Sequence, residues 1–132
     1  MMRALVLAAF LAPLGAAASG QPLTADEFEA YVTGRTLTYN SGGAAYGIEE
    51  YLSNRRVRWA FIGEDCVEGS WYEDSGLICF TYENNDIPQC WTFEQGAAGL
   101  VARFENNPDA TALYEARQSA GPMICLGPKV GV

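Results

Sequence analysis

Hydrophobic and polar residues alternate along most of the chain between Arg35 and Glu105, in short runs separated by turn-forming segments. The separating segments are NSGG, SN, GED, EDSG, ENND and EQGAAG. Alternation with a period of two, interrupted by Gly, Asn, Asp and Ser, is typical of β-strands joined by short turns. The pattern therefore predicts an antiparallel β-meander.

The alternation also divides the meander into two faces. The apolar face, predicted to form the core, contains Val57, Trp59, Phe61, Val67, Trp71, Ile78, Phe80, Tyr82, Trp91 and Phe93. The mostly polar face contains Arg56, Arg58, Glu68, Ser70, Tyr72, Thr81 and Thr92, together with Cys66, Cys79 and Cys90. The predicted fold class is mainly β, with the meander forming a strongly curved sheet or a small lipocalin-like barrel.

Helical patterns flank the meander. The segment LTADEFEAYVTG has Thr24 followed three residues later by Glu27, which is a capping box, and Gly34 as a stop signal. Apolar residues follow at helical spacing, namely Leu23, Phe28, Tyr31 and Val32. We predict one short helix here, and a second short helix within PDATALYEARQSA, after Asn107.

The four cysteines fit this meander as two disulfides. If ENND is a four-residue loop closed by Tyr82 and Ile87, a turn centred on Asn84 and Asn85 places Cys79 opposite Cys90 on adjacent strands. Four cysteines allow three connectivities. The register favours Cys79–Cys90, and by exclusion Cys66–Cys125, which ties the C-terminal segment to the sheet. A turn at EDSG would place Trp71 against Ile78 and Gly69 against Phe80.

The first residues predict export. Residues 1–20 combine a basic residue (Arg3), an apolar run from Ala4 to Leu14, and small residues that permit cleavage after Ala18 or Gly20. The run is shorter than the ~20 residues of a membrane span, so no stable membrane insertion is expected after cleavage. Residues 21–132 are predicted to form a single disulfide-linked domain that is periplasmic or secreted.

Charge limits the possible partners. Without Arg3 the predicted mature chain has seven basic and 16 acidic residues and no histidine, which gives a net charge of −9. Such a chain is not expected to bind nucleic acid or an anionic membrane. The expected partner is a small ligand or a periplasmic protein, and no cofactor is predicted.

No catalytic residue is predicted from the sequence. There is no C-x-x-C motif, and the absence of histidine removes the usual base of a serine or cysteine nucleophile. Acids are numerous, so a small hydrolase or lyase with paired carboxylates in a barrel mouth is the alternative function. The turn residues Glu64, Asp65, Glu83 and Asp86 lie at one end of the predicted sheet, but they lack a recognisable calcium-binding loop, and no metal site is predicted.

The aromatic residues favour binding over catalysis. Three Trp, seven Tyr and six Phe are many for so small a domain, and a curved meander can enclose a cavity. The candidate ligand contacts are Tyr46, Tyr51 and Tyr72, with Arg56 and Arg58 from the basic run NRRVR as possible anion contacts. We therefore predict an exported, non-catalytic domain that binds a small molecule or another protein.

Six segments together cover about Leu23 to Phe93, namely GRTLTY, YGIEEYL, VRWAF, VEGSWY, LICFTY and QCW. They resemble the DUF995-type small exported proteins of Gram-negative bacteria. The matching positions are Gly69, Ser70, Trp71, Cys79, Cys90 and Trp91. The resemblance implies an exported β fold and assigns no catalytic residue.

Overall fold

A computed structural model describes residues 20–125 as one helix and eight β-strands. The predicted signal peptide, except Gly20, lies outside the described residues. The helix is α1 (Ala25–Val32). The strands are β1 (Thr36–Ser41), β2 (Ala44–Tyr51), β3 (Arg56–Phe61), β4 (Val67–Asp74), β5 (Leu77–Tyr82), β6 (Asn85–Gly96), β7 (Gly99–Phe104) and β8 (Leu113–Ser119), with a short 3₁₀ turn (Ser53–Arg55) before β3.

The eight strands form a closed antiparallel barrel in which each strand pairs with its neighbours in the sequence. The barrel closes because β1 pairs with β8, from Thr36 opposite Ser119 to Ser41 opposite Leu113. This arrangement confirms the predicted mainly β fold and its curvature. Closure gives each strand a paired neighbour on both sides, with β7 and β8 paired only at Val101–Tyr114 and Ala102–Leu113.

The predicted second helix is wrong, because its residues form β8. Ala112, Leu113 and Ala116 are close to helical spacing, but the segment completes the barrel by pairing with both β1 and β7. Leu113 is buried inside the barrel, while the next residue, Tyr114, is exposed outside. The tertiary pairing of β8 overrides its helix-compatible composition.

The predicted N-terminal helix is confirmed, including its cap. The Thr24 hydroxyl accepts a hydrogen bond from the Glu27 amide (3.1 Å), and the Glu27 carboxylate accepts one from the Thr24 amide (3.0 Å). Phe28 and Val32 are buried on the inner side of the helix. The Phe28 ring contacts the rings of four barrel residues, Tyr51, Trp71, Phe80 and Phe93.

The helix therefore fills one end of the barrel, which we call the closed end. Because the strands alternate in direction, the β2–β3, β4–β5 and β6–β7 connections lie at this end. The β1–β2, β3–β4, β5–β6 and β7–β8 connections lie at the other end, which we call the open end. Arg55, in the β2–β3 connection, pairs with Glu29 of the helix (2.5 Å) and lies over the Trp71 ring (4.4 Å to the centroid).

The hairpin registers correct two predicted turns. The β4–β5 turn is Ser75–Gly76, with φ of 53° and 84°, so Trp71 pairs with Phe80 and not with Ile78. Positive φ at both positions suits glycine at the second one, as in a tight hairpin turn. The β5–β6 hairpin closes at Tyr82 and Asn85 through an irregularity after Phe80, and not through a four-residue loop closed by Ile87.

Both predicted disulfides are confirmed, Cys66–Cys125 and Cys79–Cys90. Cys79 lies directly opposite Cys90 in the β5–β6 ladder, with Cα atoms 4.0 Å apart. Two disulfides indicate an oxidising location outside the cytoplasm. Within residues 20–125, no helix has the length and apolar character needed to cross a membrane.

The predicted core face is the inner face of the barrel, with one exception. Val57, Trp71, Ile78, Phe80 and Phe93 are buried, and Trp59, Val67, Tyr82 and Trp91 are partly buried. Phe61 was expected in the core but is 44% exposed, because it lies at the end of β3 where the barrel is open.

Candidate functional site

The open end of the barrel contains a cavity of about 420 Å³. Half of the residues that line it are aromatic, namely Tyr39, Tyr46, Tyr51, Trp59, Phe61, Phe80, Tyr82, Trp91 and Phe93. Glu64 and Asp65 of the β3–β4 connection, and Asn84 and Asn85 of the β5–β6 turn, lie around its opening. A cavity of this size, apolar with a few polar groups, has the dimensions of a small-molecule site.

Three aromatic rings at the opening pack against one another, and we call Tyr46, Trp59 and Phe61 the aromatic trio. Their centroids are 6.0 Å apart for Tyr46–Trp59 and 5.3 Å apart for both Tyr46–Phe61 and Trp59–Phe61. The two pairs that involve Phe61 are nearly perpendicular, the edge-to-face geometry that aromatic quadrupoles prefer.

The position of Trp59 depends on Gly47. The indole lies against the Gly47 backbone, in the space that a Cβ atom would occupy. An added Cβ would also lie 2.9 Å from the Ala60 carbonyl oxygen. Gly47 is therefore the residue that allows the Trp59 ring to approach β2 so closely.

A single carboxyl group is buried among the cavity residues. Glu49 lies on β2 directly opposite Trp59 and is only 2% exposed. The Tyr82 hydroxyl donates a hydrogen bond to Glu49 Oε1 at 3.0 Å and lies 3.4 Å from Oε2. Burial raises the pKa of Glu49 well above its ordinary value, and the hydrogen bond from Tyr82 only partly opposes this shift.

Phenol groups surround this carboxyl. The Tyr39 and Tyr51 hydroxyls are hydrogen-bonded to each other at 2.8 Å. Burial raises the pKa of Tyr39, of Tyr51 and of Tyr82, and these phenols stay neutral at physiological pH. Glu49, Tyr39, Tyr51 and Tyr82 form what we call the acid–tyrosine cluster.

The structure places only two of the predicted ligand contacts at the cavity. Tyr46 is at the opening, 37% exposed, and Tyr51 is buried inside. Tyr72 is exposed on the outer surface. Arg58 pairs with Glu50 and Glu68, both at 3.1 Å, and Arg56 pairs with Glu68 at 3.5 Å. The arginines thus take part in ion pairs between neighbouring strands outside the barrel.

The acids considered for calcium lie on two connections at the open end. Glu64, Asp65, Glu83 and Asp86 are all exposed. Within the part of the chain that the structure describes, no group of three His, Cys, Asp or Glu side chains is arranged to hold a metal ion.

Glu49 is the site residue that the sequence analysis missed. The signal was present, because Glu49 precedes the candidate contact Tyr51 by two residues and therefore lies on the same face of its strand. An acid on an inward-facing position of a strand is rare unless it has a function or a partner.

Comparison of the chain with protein-family models, with curated proteins and with solved structures finds no match. The resemblance to the DUF995-type exported proteins therefore stays a prediction.

Proposed function

We propose that this protein is an exported, periplasmic domain that binds a small, largely apolar molecule in the open end of its barrel and does not catalyse a reaction. The observation that carries the proposal is the cavity of about 420 Å³, with aromatic walls and one buried carboxyl group. Membership of the DUF995-type family would agree with this proposal, and the predicted signal peptide supports export.

Burial of a ligand would supply the binding energy. Apolar surface removed from water contributes roughly 25 cal/mol per Å², and the aromatic walls offer such surface on several strands. The helix at the closed end keeps the cavity from opening at both ends, so a ligand enters and leaves beside the aromatic trio. The polar groups of the acid–tyrosine cluster would fix its orientation.

The distribution of acids supports binding rather than catalysis. Catalysis by paired carboxylates, as in glycoside hydrolysis, needs a carboxyl group on either side of the reacting bond. Glu49 is buried beside Tyr82, whereas Glu64 and Asp65 lie on an exposed connection at the opening. Burial and not a neighbouring acid raises the pKa of Glu49.

The test is titration with N-phenyl-1-naphthylamine, a neutral probe whose fluorescence rises in an apolar cavity. We expect saturable binding at one site, with a Kd in the micromolar range, about −8 kcal/mol. Gln89→Trp should fill the cavity and abolish the rise, because Gln89 lines it on β6.

Ser70→Trp is the matched control, since it adds a ring of the same size at an exposed position on the outer face of β4. Circular dichroism and thermal unfolding establish that both variants are folded. Equal probe binding by the two variants, or no saturable binding by the wild type, would contradict the proposal.

A further inference from the structure

The buried carboxyl group of the cavity has no cationic partner within the described residues. None of the described cavity-lining residues is an arginine or a lysine. The nearby Arg58 is engaged by Glu50 and Glu68 on the outer surface, and the ion pairs found within residues 20–125 do not include Glu49. A buried carboxylate is stable only when a positive charge or several donors compensate it.

The hydrogen bonds of Glu49 are also incomplete. An ionised carboxylate can accept about four hydrogen bonds. Among residues 20–125, Glu49 accepts from one donor, the Tyr82 hydroxyl, which is shared unequally between its two oxygens. The other two phenols of the cluster, Tyr39 and Tyr51, bond to each other. Acceptor capacity remains on the carboxyl group.

The walls beside Glu49 suit a positive charge. Its cross-strand partner is Trp59, which belongs to the aromatic trio. The faces of aromatic rings are negative and attract ammonium groups. Glu64 and Asp65 at the opening, and the net charge of −9 on the predicted mature chain, would draw cations toward the cavity and repel anions.

We propose that the cavity binds a small organic cation, an ammonium group attached to an apolar body, with Glu49 as its counter-ion and the aromatic trio as its wall. This inference rests on the proposed function, because it names the class of ligand for the same cavity. An anion of the same size would meet a carboxyl group and neutral phenols and would bind more weakly.

Binding of the cation requires the ionised form of Glu49. A Glu49 that is protonated in the free protein releases its proton to solvent when the cation binds, and no covalent bond changes. The other titratable groups that face Glu49 are Tyr39 on β1, Tyr51 on β2 and Tyr82 on β5, all held neutral by burial. Glu64 and Asp65 are exposed at the opening and act over a longer distance.

The experiment uses three probes with the same phenylbutyl body and different head groups. These are 4-phenylbutylamine, which is cationic at neutral pH, the neutral 4-phenylbutanol and the anionic 4-phenylbutanoate. Calorimetric titration of the full exported protein should give a Kd for the amine about tenfold lower than for the alcohol, and the weakest binding for the anion.

Glu49→Gln should remove the preference for the amine, so that the Kd values of amine and alcohol in this variant lie within about threefold of each other. The matched control is Glu50→Gln, on the neighbouring outward position, which should keep the full preference. Asp65→Asn, at the opening, should reduce the preference slightly and only at low salt. Titration in buffers of different ionisation enthalpy should show proton release in the wild type and none in Glu49→Gln.

The outcomes separate the two proposals. Equal affinity for amine and alcohol, or a preference for the amine that persists in Glu49→Gln, would contradict the proposed cationic ligand. Neither result would contradict the proposed binding function. Tighter binding of the anion would also contradict the cationic ligand. If neither the three probes nor the naphthylamine bind, both the proposed binding function and the proposed cationic ligand are contradicted.

Discussion

The two ends of the barrel are built from the same strands but are filled differently. At the closed end, Phe28 of the helix fills the barrel and contacts four aromatic rings, and the Arg55 guanidinium covers Trp71. At the open end, none of the elements within residues 20–125 covers the aromatic trio, and a carboxyl group lies where an apolar side chain would pack. We therefore expect stability to depend mainly on the closed end, which leaves the open end for the proposed ligand.

Phe28→Ala should give the largest effect, because it removes a fully buried ring from the centre of the closed end. We expect a loss of about 3–5 kcal/mol in the free energy of unfolding. The matched variant at the open end is Phe61→Ala, whose ring is 44% exposed and which should cost less than about 1 kcal/mol. Denaturant titration of both variants measures the difference, and equal losses would refute the division into two ends.

Glu49→Gln should make the folded protein more stable at neutral and alkaline pH. The pKa of Glu49 is raised by burial from an ordinary value of 4.5, so above pH 4.5 the unfolded chain loses a proton that the folded chain keeps. The free energy of unfolding therefore falls as pH rises toward the folded pKa, with a slope approaching about 1.4 kcal/mol per pH unit.

Glu49→Gln should lack this pH dependence, so the difference in free energy of unfolding between the variant and the wild type should grow in the variant's favour as pH rises above 4.5. Urea titrations at several pH values measure it. Glu50→Gln again serves as the control, because Glu50 lies on the outer face and pairs with Arg58. If the free energy of unfolding of the wild type instead rises relative to that of Glu49→Gln with increasing pH, Glu49 is ionised in the free protein and its charge is compensated there.

Gly47→Ala should disturb the open end selectively. The added methyl group would overlap the Trp59 indole, so the ring must move, at a cost of about 1–3 kcal/mol. We expect weaker binding of the naphthylamine together with a change in tryptophan fluorescence. Gly121→Ala is the control, because its Cβ would contact only the Ser119 hydroxyl, at 3.6 Å. Unchanged binding in Gly47→Ala would exclude Trp59 from the site.

Arg55→Ala should have only a small effect on stability, although the residue lies at the closed end. Its guanidinium pairs with Glu29 and Asp26 and lies over Trp71, but its side chain is 33% exposed, so the loss should be about 1 kcal/mol. Hydrogen exchange should show faster opening of the helix with no change in ligand affinity. A large loss of affinity would mean that the two ends are coupled.

Local patterns were sufficient to predict most of the fold. The alternation in β3 to β6 predicted the inner face, because it depends on residues close in the sequence. The Cys79–Cys90 pair was predicted although its turn was not, because the irregularity after Phe80 restores the predicted register at Cys79. The strand β8 was mistaken for a helix, since its identity depends on pairing with β1 at the other end of the chain.

The site was harder to predict than the fold. Tyr46 lies at an irregularity in the β1–β2 ladder, where Gly47 pairs with Tyr39 and Ala45 with Asn40, so simple alternation does not apply across it. Tyr72, Arg56 and Arg58 were selected by residue type, but alternation places them on the outer face. Alternation places Glu49 on the same face of β2 as Tyr51. Its burial, however, results from barrel closure, which involves strands distant in the sequence.

The most direct test of a ligand site confined to the open end uses the three tryptophans, which report on different parts of the barrel. Trp59 and Trp91 line the cavity, whereas Trp71 is buried against Phe28 at the closed end. Fluorine NMR of the protein labelled with 5-fluorotryptophan, assigned by Trp→Phe variants, should show three resonances. Saturation with naphthylamine should shift those of Trp59 and Trp91 and leave that of Trp71 in place. Three unchanged resonances, or a shift largest at Trp71, would contradict the account.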